Sequence, residues 1–205
     1  MATLPELARG HAALDEARVE HLQDLASVWG LLADLSFADL LLYARKPAGS
    51  DRALVLLGHM RPTTGTTLYR AALVGQVFEP RRRPLIVEAF EADEAVEGIV
   101  DVGSDRSVHV TAVPVRRHGE TIAVLARERL QPADRPGSEQ ERTYLTVFDR
   151  FARMLERGEF PYHDEERLRH RTPRVGDGLL LVDADGRIEF ASPNAVSTLH
   201  RMGVT

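Results

Sequence analysis

The chain has 205 residues and a mass of 22.8 kDa, so it holds one domain plus a piece, or two small domains. With 43% hydrophobic and 28% charged residues it has enough apolar material for a real core, and its net charge of −5 makes it a poor partner for nucleic acid. The absence of cysteine removes disulfides, thiolate metal sites, iron–sulfur clusters and cysteine nucleophiles together.

No apolar run approaches the ~18–20 residues of a membrane span, and Met1–Gly10 lacks a signal-peptide pattern, so a cytoplasmic protein that does not engage membranes is expected. Lys46 is the sole lysine and Asn194 the sole asparagine, which fits a GC-rich bacterial coding sequence.

From the amino terminus, Leu4 to Asp34 reads as helix. Leu14, Ala17, Leu22, Leu25, Val28, Trp29, Leu32 and Leu35 recur in steps of three and four, and Gly10 is expected to divide a short helix from a long one. Asp39–Lys46 and Arg52–Met60 read as strands joined by the turn residues Pro47-Ala48-Gly49-Ser50-Asp51. Both are apolar on both faces, as central strands are. Arg61–Thr67 is a loop. Ala71–Phe78 reads as a short helix, with an extended segment as the alternative. The prolines of Pro80-Arg81-Arg82-Arg83-Pro84 exclude regular helix there. Leu85–Phe90 fits either state, and Glu91–Gly98 reads as loop.

Ser107–Arg116 and Glu120–Arg129 form the clearest hairpin, turning at His118-Gly119. Gln131–Gly137 is a linker. Ser138, with Glu141 as its capping-box partner, opens a helix whose face is Tyr144, Val147, Phe148, Phe151 and Leu155, and Gly158 closes it. Tyr162–Asp177 is polar and reads as an interdomain connector. Gly178–Asp183 and Arg187–Ala191 are strands around Asp185-Gly186, followed by a helix over Pro193–Met202. This last piece, ~28 residues, is too small for a core of its own. It docks on the first domain or on another chain, or the sequence is cut inside a second domain; the cut is preferred.

The order helix, hairpin, irregular middle, hairpin, helix resembles a GAF-type sensory domain. Leu73-Val74-Gly75-Gln76-Val77-Phe78-Glu79 looks like the short helix before its pocket cover, and Val108–Val115 with Ile122–Leu125 like its paired late strands. The resemblance implies an α+β fold over residues 1–161, an antiparallel sheet with terminal helices on one face and a ligand pocket on the other. After a linker over 162–177, residues 178–205 resemble the first strands and helix of a PAS domain, here truncated. A narrower resemblance rests on Trp29–Asp39, Arg61-Pro62-Thr63-Thr64-Gly65, Arg82-Arg83-Pro84-Leu85, Ala191-Ser192-Pro193-Asn194-Ala195 and His200-Arg201-Met202-Gly203. These look like the amino-terminal part of actinobacterial cytosolic sensor histidine kinases. That family implies a homodimer, a downstream kinase core using ATP and magnesium, and response regulators carrying an RNA-binding antiterminator (ANTAR) domain. The phospho-acceptor histidine and ATP boxes fall outside these 205 residues, so no cofactor and no catalytic residue is assigned within them. The resemblance leaves two alternatives open: input to a diguanylate cyclase or PP2C-type phosphatase, or a GAF domain that only dimerises.

Within the chain no phosphate loop or zinc-protease helix occurs. Ser104 and Ser138 lack the G-x-S-x-G setting of a nucleophile elbow. The acidic run Glu88, Glu91, Asp93, Glu94, Glu97 reads as a solvated face. His59 and His109 sit on strands and could face one pocket as ligand or haem contacts; hydrogen-bonded strand histidines are the preferred reading. Arg81, Arg82 and Arg83 offer guanidinium forks suited to a small anionic ligand such as a nucleotide, with Arg61 across from them. A basic surface turn paired with Glu79 and Glu88 is preferred. Trp29 and the apolar lines of the two long helices offer a surface for a second copy of the chain.

Overall fold

The computed structural model describes residues 2–47, 49, 52–101, 107–130, 138–162 and 172–204. Helices α1 (Leu4–Ala12) and α2 (Glu16–Ser36) lead into strands β1 (Asp39–Arg45), β2 (Leu54–Met60) and β3 (Val77–Phe78). A 3₁₀ turn (Pro80–Arg82), α3 (Pro84–Ala92), β4 (Val96–Asp101), β5 (Ser107–Arg117), β6 (Glu120–Leu130) and α4 (Glu139–Arg157) follow. The six strands form one antiparallel sheet in the order β3-β2-β1-β6-β5-β4.

Strand alternation sorts the core into two layers. Leu40, Leu42, Ala44, Val55, Leu57, Val113, Val115 and Leu125 face α1, α2 and α4. Leu41, Tyr43, Leu54, Leu56, Val108, Val110, Val124 and Ala126 face α3. β1 is therefore buried on both sides, which is why it reads as an unbroken apolar run. Opposite Leu42 the ladder slips by one residue, and Gly58 takes the place beneath Trp29.

Three expectations need correcting. The break between the first two helices falls not at Gly10, which lies inside α1, but at Ala13 (φ 51°); Asp15 then caps α2, its side chain accepting from Arg18 N at 2.8 Å. Ala71–Phe78 is not helical: a turn at Val74-Gly75 leads into the two-residue β3, and Gly75 N donates to Leu56 O and Leu56 N to Gln76 O (2.8 and 3.0 Å), so the segment lies along the edge of β2. Glu91–Gly98 is not a loop, for α3 runs through Ala92 and β4 starts at Val96. Its acidic side chains are structural partners: Glu91 of Arg52 (3.1 Å), Asp93 of Arg116 (2.8 Å), Glu97 of His109 (3.0 Å).

The late hairpin turns at His118 (φ 51°) and Gly119 (φ 80°), both left-handed as a type I′ turn requires. Ser138 Oγ accepts from Glu141 N at 3.1 Å, and Ser138 N donates to Glu141 Oε2 at 2.6 Å. Ser138→Ala is expected to cost about 1 kcal/mol in a urea titration. Ser104 and the Gln131–Gly137 linker lie outside the described residues, as do residues 163–171 of the connector.

The rest of that connector is anchored: Val175 is buried against α2. Beyond it, β7 (Leu180–Val182) and β8 (Ile188–Ala191) pair, and Ser192 caps α5 (Pro193–Arg201). Leu179, Leu181 and Phe190 pack on the helix-side core, Phe190 edge-on to Tyr144 at 6.1 Å. The carboxy-terminal piece thus docks on the first domain, while Leu180, Val182 and Ile188 point to solvent.

Candidate functional site

On the α3 side of the sheet, three strand positions bring titratable side chains together at one end. Asp39 on β1, His59 on β2 and Glu128 on β6 share it with Leu41, Val124 and Ala126. Asp39 and Glu128 are register partners, and both are buried. Two adjacent carboxylates in an apolar layer need donors of their own, and each has them. Asp39 accepts from Thr67 Oγ1 at 2.8 Å and Leu68 N at 2.5 Å, and meets His59 Nε2 at 2.8 Å. Glu128 accepts from the Tyr69 hydroxyl and from Arg83 Nη1 at 3.4 Å.

Arg83 immediately precedes α3 and reaches in over Phe78 and Tyr43, its guanidinium 4.9 and 5.6 Å from their ring centres. Burial, reinforced by the Glu128 charge, pushes the Tyr43 and Tyr69 phenols upward, so both remain protonated donors. The Tyr43 hydroxyl and Arg83 Nε are buried without a hydrogen-bond partner. Beside them a cavity of about 30 Å³ is lined by Tyr69, Arg82, Arg83, Leu85, Ile86, Val100, Val108, Val110 and Glu128. That holds about one or two water molecules. The cavity and its surround offer buried donors, a carboxylate and an apolar wall, chemistry suited to holding a small polar group.

Of the residues singled out in the sequence, Arg82 and Arg83 line this cavity. His59 stands beside it, its ring edge-on to Tyr69 at 5.8 Å. Arg61 is not across from them. Its Nη2 donates to Arg70 O and Ala71 O (3.4 Å each), bracing a loop. His109 shares the parity of Val113 and Val115, the opposite face, and β1 and β6 separate its strand from that of His59. The two histidines do not share a pocket. Arg81 pairs with Glu79 at 2.6 Å, as a surface turn would, but Arg83 pairs inward with Glu128 rather than with Glu88. Glu128, Tyr69, Tyr43 and Asp39 were missed. Alternation alone carried a signal for Glu128, since positions 124, 126 and 128 share a face.

Burial lowers the pKa of both His21 and His109 from 6.5. The unfolded chain then binds these protons first, so stability should fall as pH drops through 6.5 and level off below the folded values. Urea midpoints between pH 8 and 5 should show that decline, and His21→Gln/His109→Gln should flatten it.

A six-stranded antiparallel sheet with first and last helices on one face and a cavity under a short helix on the other is the architecture of a GAF domain. The family described as the GAF domain of histidine kinase PdtaS matches residues 4–147, and the chain belongs to it. The chain is 36% identical over 213 residues to sensor histidine kinase PdtaS of Mycolicibacterium smegmatis, and 37% over 212 residues to that of Mycobacterium tuberculosis. Each comparison takes in 100% of this chain but 41% of the relative, so the chain spans about two-fifths of their length. A solved structure described as the sensor region of a sensor histidine kinase superposes with a TM-score of 0.82 at 35% identity, over 100% of this chain and 70% of that one. Among the described residues no helix is long and apolar enough to cross a membrane.

Proposed function

We propose that this chain is the sensory input region of a cytoplasmic two-component histidine kinase. A small anionic ligand enters the cavity at Arg82 and Arg83, and the change in packing reaches the kinase core through the carboxy-terminal piece. The observation that carries this reading is the cavity itself, a polar cluster buried on the face away from the terminal helices, in a chain of a sensor-kinase family. At about 30 Å³ it is far below the ~300 Å³ at which drug-sized ligand pockets begin, so a nucleotide would have to displace Arg83. Residues 1–161 are the GAF unit, and 178–205, with Leu180, Val182 and Ile188 exposed, have the strand–strand–helix order that opens a PAS domain. ATP and magnesium serve the kinase core, and the partner is a response regulator with an ANTAR domain.

Titration calorimetry with cyclic and linear nucleotides and small organic acids should give saturable heat that Arg83→Met abolishes. Autophosphorylation of the parent kinase should then respond to the same compound. Heat unchanged by Arg83→Met, or none at all with the fold intact, would remove the ligand reading. The small, self-filled cavity favours a second reading, a GAF domain that only dimerises. The titration separates the two: a homodimer by light scattering that gives no heat with any of these compounds belongs to the second. Among the described residues, α2 and α4 leave no large apolar side chain exposed, so a dimer through them would rest on partly buried positions such as Leu31 and Phe151.

A further inference from the structure

Asp34 sits at the end of α2, fully buried, where an unpaired carboxylate would be costly. Its Oδ1 accepts from Thr63 N at 2.6 Å and from Arg174 Nη1 at 3.1 Å, and its Oδ2 from Val175 N at 3.3 Å. Its carbonyl accepts from Thr64 Oγ1 at 2.7 Å. One side chain thus holds two segments distant in sequence. The first is loop 61–70, whose far end is fixed to Asp39 through Thr67 and Leu68 and to Glu128 through Tyr69. The second is the stretch 172–177 that leads into β7.

Arg174 also reaches Gly30 O (3.4 Å), Arg61 O (3.2 Å) and Met60 Sδ (3.2 Å), so it touches α2 and the start of loop 61–70 at once. Gly30 makes the approach possible. A Cβ there would lie 2.6 Å from Thr172 Cγ2 and 3.0 Å from Arg174 Nε. A glycine inside a helix is otherwise unfavourable, and close approach of the Thr172 and Arg174 side chains accounts for it. Downstream, Asn194 Nδ2 donates to Gly176 O at 2.9 Å and Leu179 N to Ser192 Oγ at 2.9 Å, which ties the stretch to α5 and the hairpin.

We infer that residues 172–177 form a strap whose hold on α2 is set by loop 61–70 through the shared Asp34 carboxylate, so that Asp34 and Arg174 pass the state of the pocket to the carboxy-terminal hairpin. The direction of signalling rests on the sensory reading above; the coupling between loop and strap does not. Coupling of this kind is reciprocal: loosening either segment loosens the other.

The test is hydrogen exchange on the whole chain without ligand. Arg174→Met and, separately, Gly30→Ala should quicken exchange in 175–192 and also in 61–70, by about fivefold or more, with β1 and β6 unchanged. Tyr69→Phe, which removes one of the three anchors at the far end of the loop, should quicken 172–181. Gly30→Ala removes no charge and favours the helix, so it still reports if Arg174→Met unfolds the chain. Exchange that rises in 175–192 while 61–70 keeps its original rate in both variants overturns the proposal, as does a silent strap in Tyr69→Phe. Because no ligand enters, a failed titration with coupling intact removes the sensory reading alone.

Discussion

Arg83→Met is expected to lower the unfolding free energy by about 3–5 kcal/mol, because it strands a buried carboxylate. Glu128 is 1% exposed and the Arg83 side chain 19%, so bulk solvent reaches the stranded carboxylate poorly. The remaining donor, the Tyr69 hydroxyl, is neutral. Pairing the change with Glu128→Gln should restore at least half of the loss. Glutamine still accepts from Tyr69 but carries no charge to strand, and replacing a buried pair as a whole is commonly near neutral. Urea unfolding of the two single variants and the double variant gives the cycle. A double variant no more stable than Arg83→Met would mean that Arg83 contributes by packing on Phe78 and Tyr43 and not by its charge.

Gly58→Ala is the second change with a large expected effect. The added Cβ would lie 2.3 Å from Trp29 Cη2 and 3.1 Å from Cζ3. Trp29 is 8% exposed and wedged between α2 and the sheet, so the ring has no free direction to move. Overpacking of this kind costs about 1–3 kcal/mol. Trp29 is the sole tryptophan, so its emission should shift along with the denaturation midpoint. Trp29→Leu in the same background should recover part of the stability. Gly58→Ala with unchanged emission and midpoint would show that α2 yields at no cost.

What the sequence disclosed follows the range of the forces involved. The hairpins β1–β2 and β5–β6 were legible because each is closed by a local turn and marked by side chains a few residues apart. Helix α4 was legible because Ser138 and Glu141 cap it and its apolar face repeats at helical spacing. β4 was hidden: Glu97 and Asp101 face solvent from an edge strand, and its pairing with β5 is not marked locally. β3 was hidden because a distant backbone, that of Leu56, decides its state. At the site, Arg82 and Arg83 were read correctly as neighbours, but their setting was not. Tyr69 reaches Glu128 from an irregular loop that no periodicity announces. For His59 and His109 the preferred reading, hydrogen-bonded strand histidines, matches their pairing with Asp39 and Glu97, and the lesser one, a shared pocket, could be dismissed only with the sheet order in hand.

The middle of the sheet has a consequence for how the chain comes to be. Leu42 is paired with Leu125, so β1 waits for β6 while the whole irregular centre is synthesised between them. A ribosome releases the first hairpin, greasy on both sides, long before its companion strand exists. Closure across so long a span is slow by nature, and an orphaned apolar ribbon is what aggregates or recruits chaperones. Dilution from urea should therefore show a single slow phase for the β1–β6 seam, trailing the rapid appearance of the late hairpin. Nascent chains stalled before Leu130 should be markedly more susceptible to protease than those stalled after it.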